Sequence, residues 1–202
     1  MQKDLVGSRL IPTDIAEFSV NVNPIAYKAT CDGNCLFNAL SILVCGNEQY
    51  AGLFRLLTSI ELYENAEFYA DHPALLDASD QIGKDVAYLF LDIVCSKGWD
   101  DDTFTKDGRK AVVEAEAIRI CKDGFDCGLI AVMGLSSLLQ HPIFSLYPDV
   151  TYKHRNIFIR KIHPRVFVSD EKQCFFILWS RIKLQSSNQM FIPNHFVPVV
   201  LK

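Results

Sequence analysis

The hydrophobic periodicity of this chain changes once, near residue 140, and that change bounds its fold more tightly than any other feature. Before it, apolar residues recur at the three- and four-residue spacing of helices. Leu36, Ala39, Leu40 and Leu43 follow Cys35, and Gly46 offers a stop, so a helix is expected over about 35–45. Residues 48–70 keep helical spacing, with Leu53, Leu56, Leu57, Ile60 and Tyr63 on one side and His72-Pro73 as the break. Further helices are expected over 81–97, 110–120 and about 127–139, the last preceded by the Gly- and Asp-rich loop KDGFDCG. After the change, the segments opening at Pro142, Asn156, Cys174 and Phe196 are short, aromatic and β-branched, which is strand character. Helices first and strands later, without regular alternation, predict an α+β fold: a helical N-terminal part packed on a small mixed or antiparallel sheet.

The chain has 202 residues, 50% of them hydrophobic. That suffices for one ordinary core and excludes disordered and collagen-like classes. No repeat or linker divides it. Residues 1–26 are mixed and proline-interrupted and are expected as an arm packed on a domain spanning 27–202. Seven cysteines stand at 31, 35, 45, 95, 121, 127 and 174, an odd and irregular set unlike a disulfide framework. The N-terminus carries no apolar signal segment. The longest apolar stretch, 129–139, is interrupted by Gly134 and Ser136 and is about half the ~20 residues that a membrane span needs. A reduced, cytoplasmic or nuclear monomer is the expectation, with no membrane partner. The net charge of −4 and the lack of a Lys/Arg stripe argue against nucleic acid. The cysteine spacings lack the paired ligands of a zinc site, so neither metal nor cofactor is expected.

One short run concentrates the chemistry. Asp32-Gly33-Asn34 is a tight polar turn leading straight into the apolar helix that Cys35 opens. A thiol at a helix N-terminus meets unpaired N–H groups and the positive end of the dipole, which lower its pKa and stabilise thiolate. The same N–H groups suit the oxyanion of a tetrahedral intermediate. The plainer alternative is that Cys35, like most such cysteines, is a buried packing residue. A thiol nucleophile also needs a base. His72, His141 and His163 each precede proline and read as surface-turn residues, and His154 lies among basic residues. His195 heads the last hydrophobic strand, where it can look over the sheet edge toward another element.

Asp32-Gly33-Asn34-Cys35-Leu36-Phe37-Asn38-Ala39-Leu40-Ser41, with Asn194-His195-Phe196, resembles the ovarian tumour (OTU) family of cysteine proteases, mostly deubiquitinases. Glu48 and Arg55 stand where members often carry an acidic residue and an arginine. Gly124 to Leu129 resembles the family's Gly-Trp-Gly stretch without its tryptophan. The segments Leu138–Pro148 and Asn194–Val200 look most like the OTU domains of vertnin and of transposon-derived animal proteins.

The resemblance implies a papain-like fold and thiol-dependent hydrolysis after the C-terminal glycine of ubiquitin or a ubiquitin-like modifier. Cys35 would be the nucleophile and His195 the base that holds it as thiolate. The N–H groups of Asp32, Gly33 and Cys35 would form the oxyanion site, and the Asp32 side chain would fix the turn. The family's usual imidazole-orienting residue, two after the histidine, is here Val197, which cannot serve. Asn194 is the first candidate to replace it and Asn23 the second, with Asp14 and Asn21 also available in the arm; a dyad assisted by a backbone carbonyl is the remaining alternative. Asp100-Asp101-Asp102 beside Trp99 and Phe104 is either a face for basic ubiquitin or a solvated loop. Two other functions stay open: a catalytically inactive binding module, as the vertnin-like resemblance implies, and a papain-like hydrolase or transferase acting on another acyl substrate.

Overall fold

The computed structural model describes residues 1–16, 18, 22–94, 105–150, 155–166, 174–182 and 191–202. In chain order its elements are α1 (Leu5–Leu10), β1 (Pro24–Ala26), α2 (Cys35–Cys45), α3 (Ala51–Glu64), α4 (Ala66–Ala70), α5 (Pro73–Ile82) and α6 (Val86–Ile93). There follow α7 (Lys106–Ile120), α8 (Leu129–Leu139), β2 (Ile143–Leu146), α9 (Arg155–Phe158), β3 (Arg160–Ile162), β4 (Phe175–Ser180) and β5 (His195–Leu201). The architecture is α+β, as the single change of periodicity implies.

The strands form one sheet in the order β1-β5-β4-β2-β3. It is mixed: β2 and β4 run parallel, and the other neighbours pair antiparallel. Period-two alternation gives the sheet two buried faces. Ile143, Ile177, Trp179 and Phe196 join the helical core with Phe37, Leu40, Leu62 and Met133. Phe144, Leu146, Phe176, Leu178, Val197 and Val199 face the other way, under Ile15, with Leu10, Ile11 and Phe18 packed against them. The N-terminal arm is thus a lid over the second face. It is not simply extended, because Asp4 accepts a hydrogen bond from the Val6 N–H at 3.0 Å and starts α1.

Most of α2 lies in the core. Gly46, at φ 77°, ends it by donating its N–H to the Ile42 carbonyl. In α8 every residue from Leu129 to Ser136 is buried, so the longest apolar stretch is a central core helix.

Three expectations are corrected. Residues 48–70 form two helices broken at Asn65, and the region from 73 to 93 forms two more, split where Gly83 at φ 67° ends α5 and Asp85 caps α6. The segment after Asn156 is mostly the short helix α9, with the strand confined to 160–162. His72 is no surface-turn residue: it is 2% exposed, and its Nδ1 accepts the Ala74 N–H as the cap of α5.

Helix α3 faces opposite to its hydrophobic stripe. Arg55, Thr58, Ser59 and Leu62 are buried, while Leu53, Leu56, Ile60 and Tyr63 lie outside at 46–49% exposure. Spacing identifies a helix, but the buried side is decided by which stripe finds partners. Leu62→Ala is therefore expected to lower stability by about 2–5 kcal/mol. Leu53→Ala and Ile60→Ala are expected to stay within about 0.5 kcal/mol of wild type in urea unfolding.

Candidate active site

The turn entering α2 is braced from three sides. Asp32 Oδ1 accepts the Asn34 N–H at 2.8 Å and Asn38 Nδ2 at 3.0 Å, closing an Asx turn. Upstream, the Thr30 N–H and hydroxyl donate to the two Glu48 carboxylate oxygens at 2.7 and 2.6 Å. From below, Arg55 donates to Asn34 Oδ1 and the Gly33 carbonyl. Gly33 sits at φ 82°, and a Cβ there would lie 2.3 Å from the Gly124 Cα, so two glycine turns touch backbone to backbone.

One consequence concerns hydrogen-bond donors. The Asn34 N–H is spent on Asp32. The N–H groups of Asp32, Gly33 and Cys35 donate to no acceptor among the described residues. They are the only ones of this run left for an incoming anion.

Cys35 and His195 line the same cleft of about 340 Å³, with Gly33, Leu36, Asp126 and Trp179 among its walls. Burial pushes the Cys35 thiol up to about 11, and the charges of Cys31 and Asp126 push the same way. The N–H groups of Phe196 and Leu36 pull it down. The expected helix-terminus effect is present, but desolvation outweighs it, so the expected low thiol pKa is not realised.

His195 opens β5 opposite Ser180 and is 6% exposed. Burial lowers its pKa, against the opposing influence of Asp4, the Ala29 carbonyl, Glu48 and Asp32. At neutral pH the resting couple is therefore a thiol beside a neutral imidazole.

The imidazole bonds the Ala29 carbonyl but leaves one nitrogen unpaired: His195 Nδ1 is buried and has no hydrogen-bond partner among the described residues. Val197 shares its sheet face and is wholly buried in the apolar cluster. Asn194 directs its Oδ1 to the Ile182 N–H at 3.4 Å and gives its own N–H to the Ser180 carbonyl, so its side chain fixes the adjacent turn. Asn23 pairs with Lys202 at the opposite end of β5, roughly 20 Å along the strand from His195. Asp14 lies 3.9 Å from Arg155. Asn21, His154, Cys95 and the Trp99–Phe104 stretch fall outside the described residues.

The acidic residue with the largest effect on His195 is instead Asp4, which sequence reasoning passed over. Its one available signal was a capping aspartate just before the helical run LVGSRL.

A polar turn at the start of a core helix, sharing a cleft with a histidine at the head of the last strand of a mixed sheet, is the arrangement expected of an OTU-type domain. The chain matches the family model "Vertnin, OTU domain" over residues 24–180 and belongs to that family. Vertnin of Danio rerio is 26% identical over 207 residues, covering 98% of this chain and 27% of that protein. Vertnin of Homo sapiens is 26% identical over 201 residues, covering 99% of this chain and 26% of that protein. The chain thus spans about a quarter of the length of these relatives. Among solved structures, the OTU domain of OTUD1 aligns with a TM-score of 0.47 at 17% identity, covering 88% of this chain and 86% of that one. The viral OTU domain protease of Farallon virus aligns with a TM-score of 0.45 at 13% identity, covering 95% and 98%.

Proposed function

We propose that this domain is a thiol-dependent hydrolase, a deubiquitinase cleaving the peptide or isopeptide bond after the C-terminal glycine of ubiquitin or a ubiquitin-like modifier. The observation that carries it is the convergence of Cys35 and His195 on one cleft beside N–H groups that no other described residue uses.

Because the resting couple is neutral, His195 acts as a general base during attack and does not hold a standing thiolate. The imidazole takes the thiol proton as Sγ bonds to the carbonyl carbon. The oxyanion is received by the N–H groups of Gly33 and Cys35, with that of Asp32 beside them. The imidazolium then protonates the leaving amine as the C–N bond breaks. Water, deprotonated by the same imidazole, hydrolyses the thioester and frees Cys35. Asp32 and Asn194 serve by holding the two turns that carry Cys35 and His195. The chemistry requires a reduced thiol, which fits a monomer acting in the cytoplasm or nucleus.

The unpartnered Nδ1 of His195, with Val197 in place of a polar residue, favours a second reading: a binding module that has lost catalysis. One experiment separates them. Ubiquitin carrying a C-terminal electrophile is expected to label the wild type and leave Cys35→Ala unlabelled, read by the mass shift. A folded wild type that stays unlabelled overturns the deubiquitinase reading.

A further inference from the structure

Arg55 is 1% exposed, and all five of its N–H groups are engaged. Nε donates to Asn34 Oδ1 at 2.6 Å. Nη1 donates to the carbonyls of Ile120 and Lys122 at 2.7 and 2.8 Å. Nη2 donates to those of Gly33 at 2.5 Å and Phe125 at 3.1 Å. Its planar face lies 4.7 Å from the centre of the Phe37 ring. All five acceptors are neutral. The cation is met by the carbonyl-rich end of α7, where the dipole is negative. A fully buried cation without a carboxylate partner would be a costly way to join a helix to a loop if packing were its only task.

The effect on Asn34 indicates a further task. Asn34 is the N-cap residue of α2, and asparagine there ordinarily turns its side-chain oxygen onto the N–H groups of the first turn. Here it makes no such bond, because the Arg55 Nε holds the oxygen. The same guanidinium fixes the Gly33 carbonyl, and so the plane of the peptide between Gly33 and Asn34.

We propose that Arg55 is the positioning residue of the nucleophile turn: by holding the Asn34 side chain and the Gly33 carbonyl, it fixes the turn in the shape that presents the Gly33 and Cys35 N–H groups to the oxyanion of an acyl substrate. This rests on Cys35 as the nucleophile of the proposed function, and not on ubiquitin as the substrate. Lysine cannot replace it, because three donors at one point do not span five separated acceptors.

The test compares two reactions of Cys35, each corrected for Cys35→Ala. Acylation by p-nitrophenyl acetate passes through an oxyanion, whereas alkylation by iodoacetamide does not. Arg55→Lys is expected to slow acylation about 100-fold, with the pH profile of alkylation unchanged and its rate within about threefold of wild type. Asn34→Ala guards against a failure of Arg55→Lys to fold. It removes one handle of the turn and is expected to slow acylation about tenfold, again sparing alkylation. Parallel losses in both reactions overturn the proposal, as does Asn34→Ala with full acylation. A wild-type Cys35 inert to both reagents also overturns it, since the turn would serve no nucleophile. A wild type that is acylated but cleaves no ubiquitin conjugate leaves Arg55 in its role and defeats the ubiquitin assignment alone.

Discussion

Gly33→Ala is expected to abolish most activity while leaving the bulk of the fold intact, and Gly124→Ala, its partner across the contact, to do far less. Both residues have positive φ, at 82° and 80°, so each alanine carries a left-handed penalty of about 1–2 kcal/mol. Only Gly33 also has no room. Its Cβ would lie 2.3 Å from the Gly124 Cα and 2.7 Å from the Gly124 carbonyl carbon, and neither is the movable end of a side chain. Nothing lies within 4 Å of a Cβ at Gly124. The alanine at 33 must therefore push the turn away from the 121–126 loop. That displaces the Gly33 and Cys35 N–H groups and strains the Arg55 bond to the Gly33 carbonyl.

Loss of oxyanion donors commonly costs 10²–10³ in turnover, and a fall of about that size in hydrolysis of a ubiquitin C-terminal fluorogenic amide is expected for Gly33→Ala. For Gly124→Ala a change below about tenfold is expected, with a Tm lowered by only a few degrees. Equal activity losses in the two variants would show that the close approach of the turns is irrelevant to the site.

That turn was legible in the sequence because all its parts are local. Asp32, Gly33 and Asn34 announce a turn, the apolar spacing after Cys35 announces a helix, and Gly46 ends it where expected. The resemblance marked Glu48 and Arg55 by position, but what they hold was not legible. Arg55 draws acceptors from residues 120, 122 and 125, some 65 to 70 positions away, and no local pattern reports such bonds. The stripe Arg55, Thr58, Ser59 and Leu62 has the same helical spacing as Leu53, Leu56, Ile60 and Tyr63. Spacing alone does not say which of the two stripes is buried.

The sheet shows the same division. β4 and β5 are long and aromatic or β-branched and were readable. β1 is three residues opened by a proline, and it exists because Ala26 and its neighbours find Val199 and Val200 across the sheet. The candidate orienting groups for His195 failed for a similar reason. Asn23 is near in the arm's sequence but registers with the far end of β5, and only the strand pairing reveals that.

His72 was misread because His-Pro looks like a turn, whereas proline at the first helical position is also how a helix begins. Its burial sets up the second large effect, which is on stability. The ring stacks on Tyr69 at 5.9 Å and meets Phe68 edge-on at 5.2 Å, while Nδ1 accepts the Ala74 N–H. Because Nδ1 accepts, the neutral ring carries its proton on Nε2, which is buried with no partner among the described residues. A second proton would have to go on Nδ1 and break the bond from Ala74. Desolvation first, then the charges of Arg160 and His163, press the pKa down to about 3. The folded value lies below the unfolded one near 6.5. The stabilisation is therefore whole above pH 6.5 and is lost as the pH falls toward 3.

Each unit of acidification in that window costs about 1.4 kcal/mol, or about 2 kcal/mol between pH 6.5 and 5 from this residue alone. His72→Asn keeps a capping oxygen for the Ala74 N–H and removes the titrating ring. It is expected to be less stable than wild type at pH 7.5, through the lost stacking, yet to lose about 2 kcal/mol less on going to pH 5. Urea unfolding of both proteins at the two pH values reads this difference directly. Parallel losses would place the acid sensitivity elsewhere and leave His72 as a packing residue whose charge state does not matter to the fold.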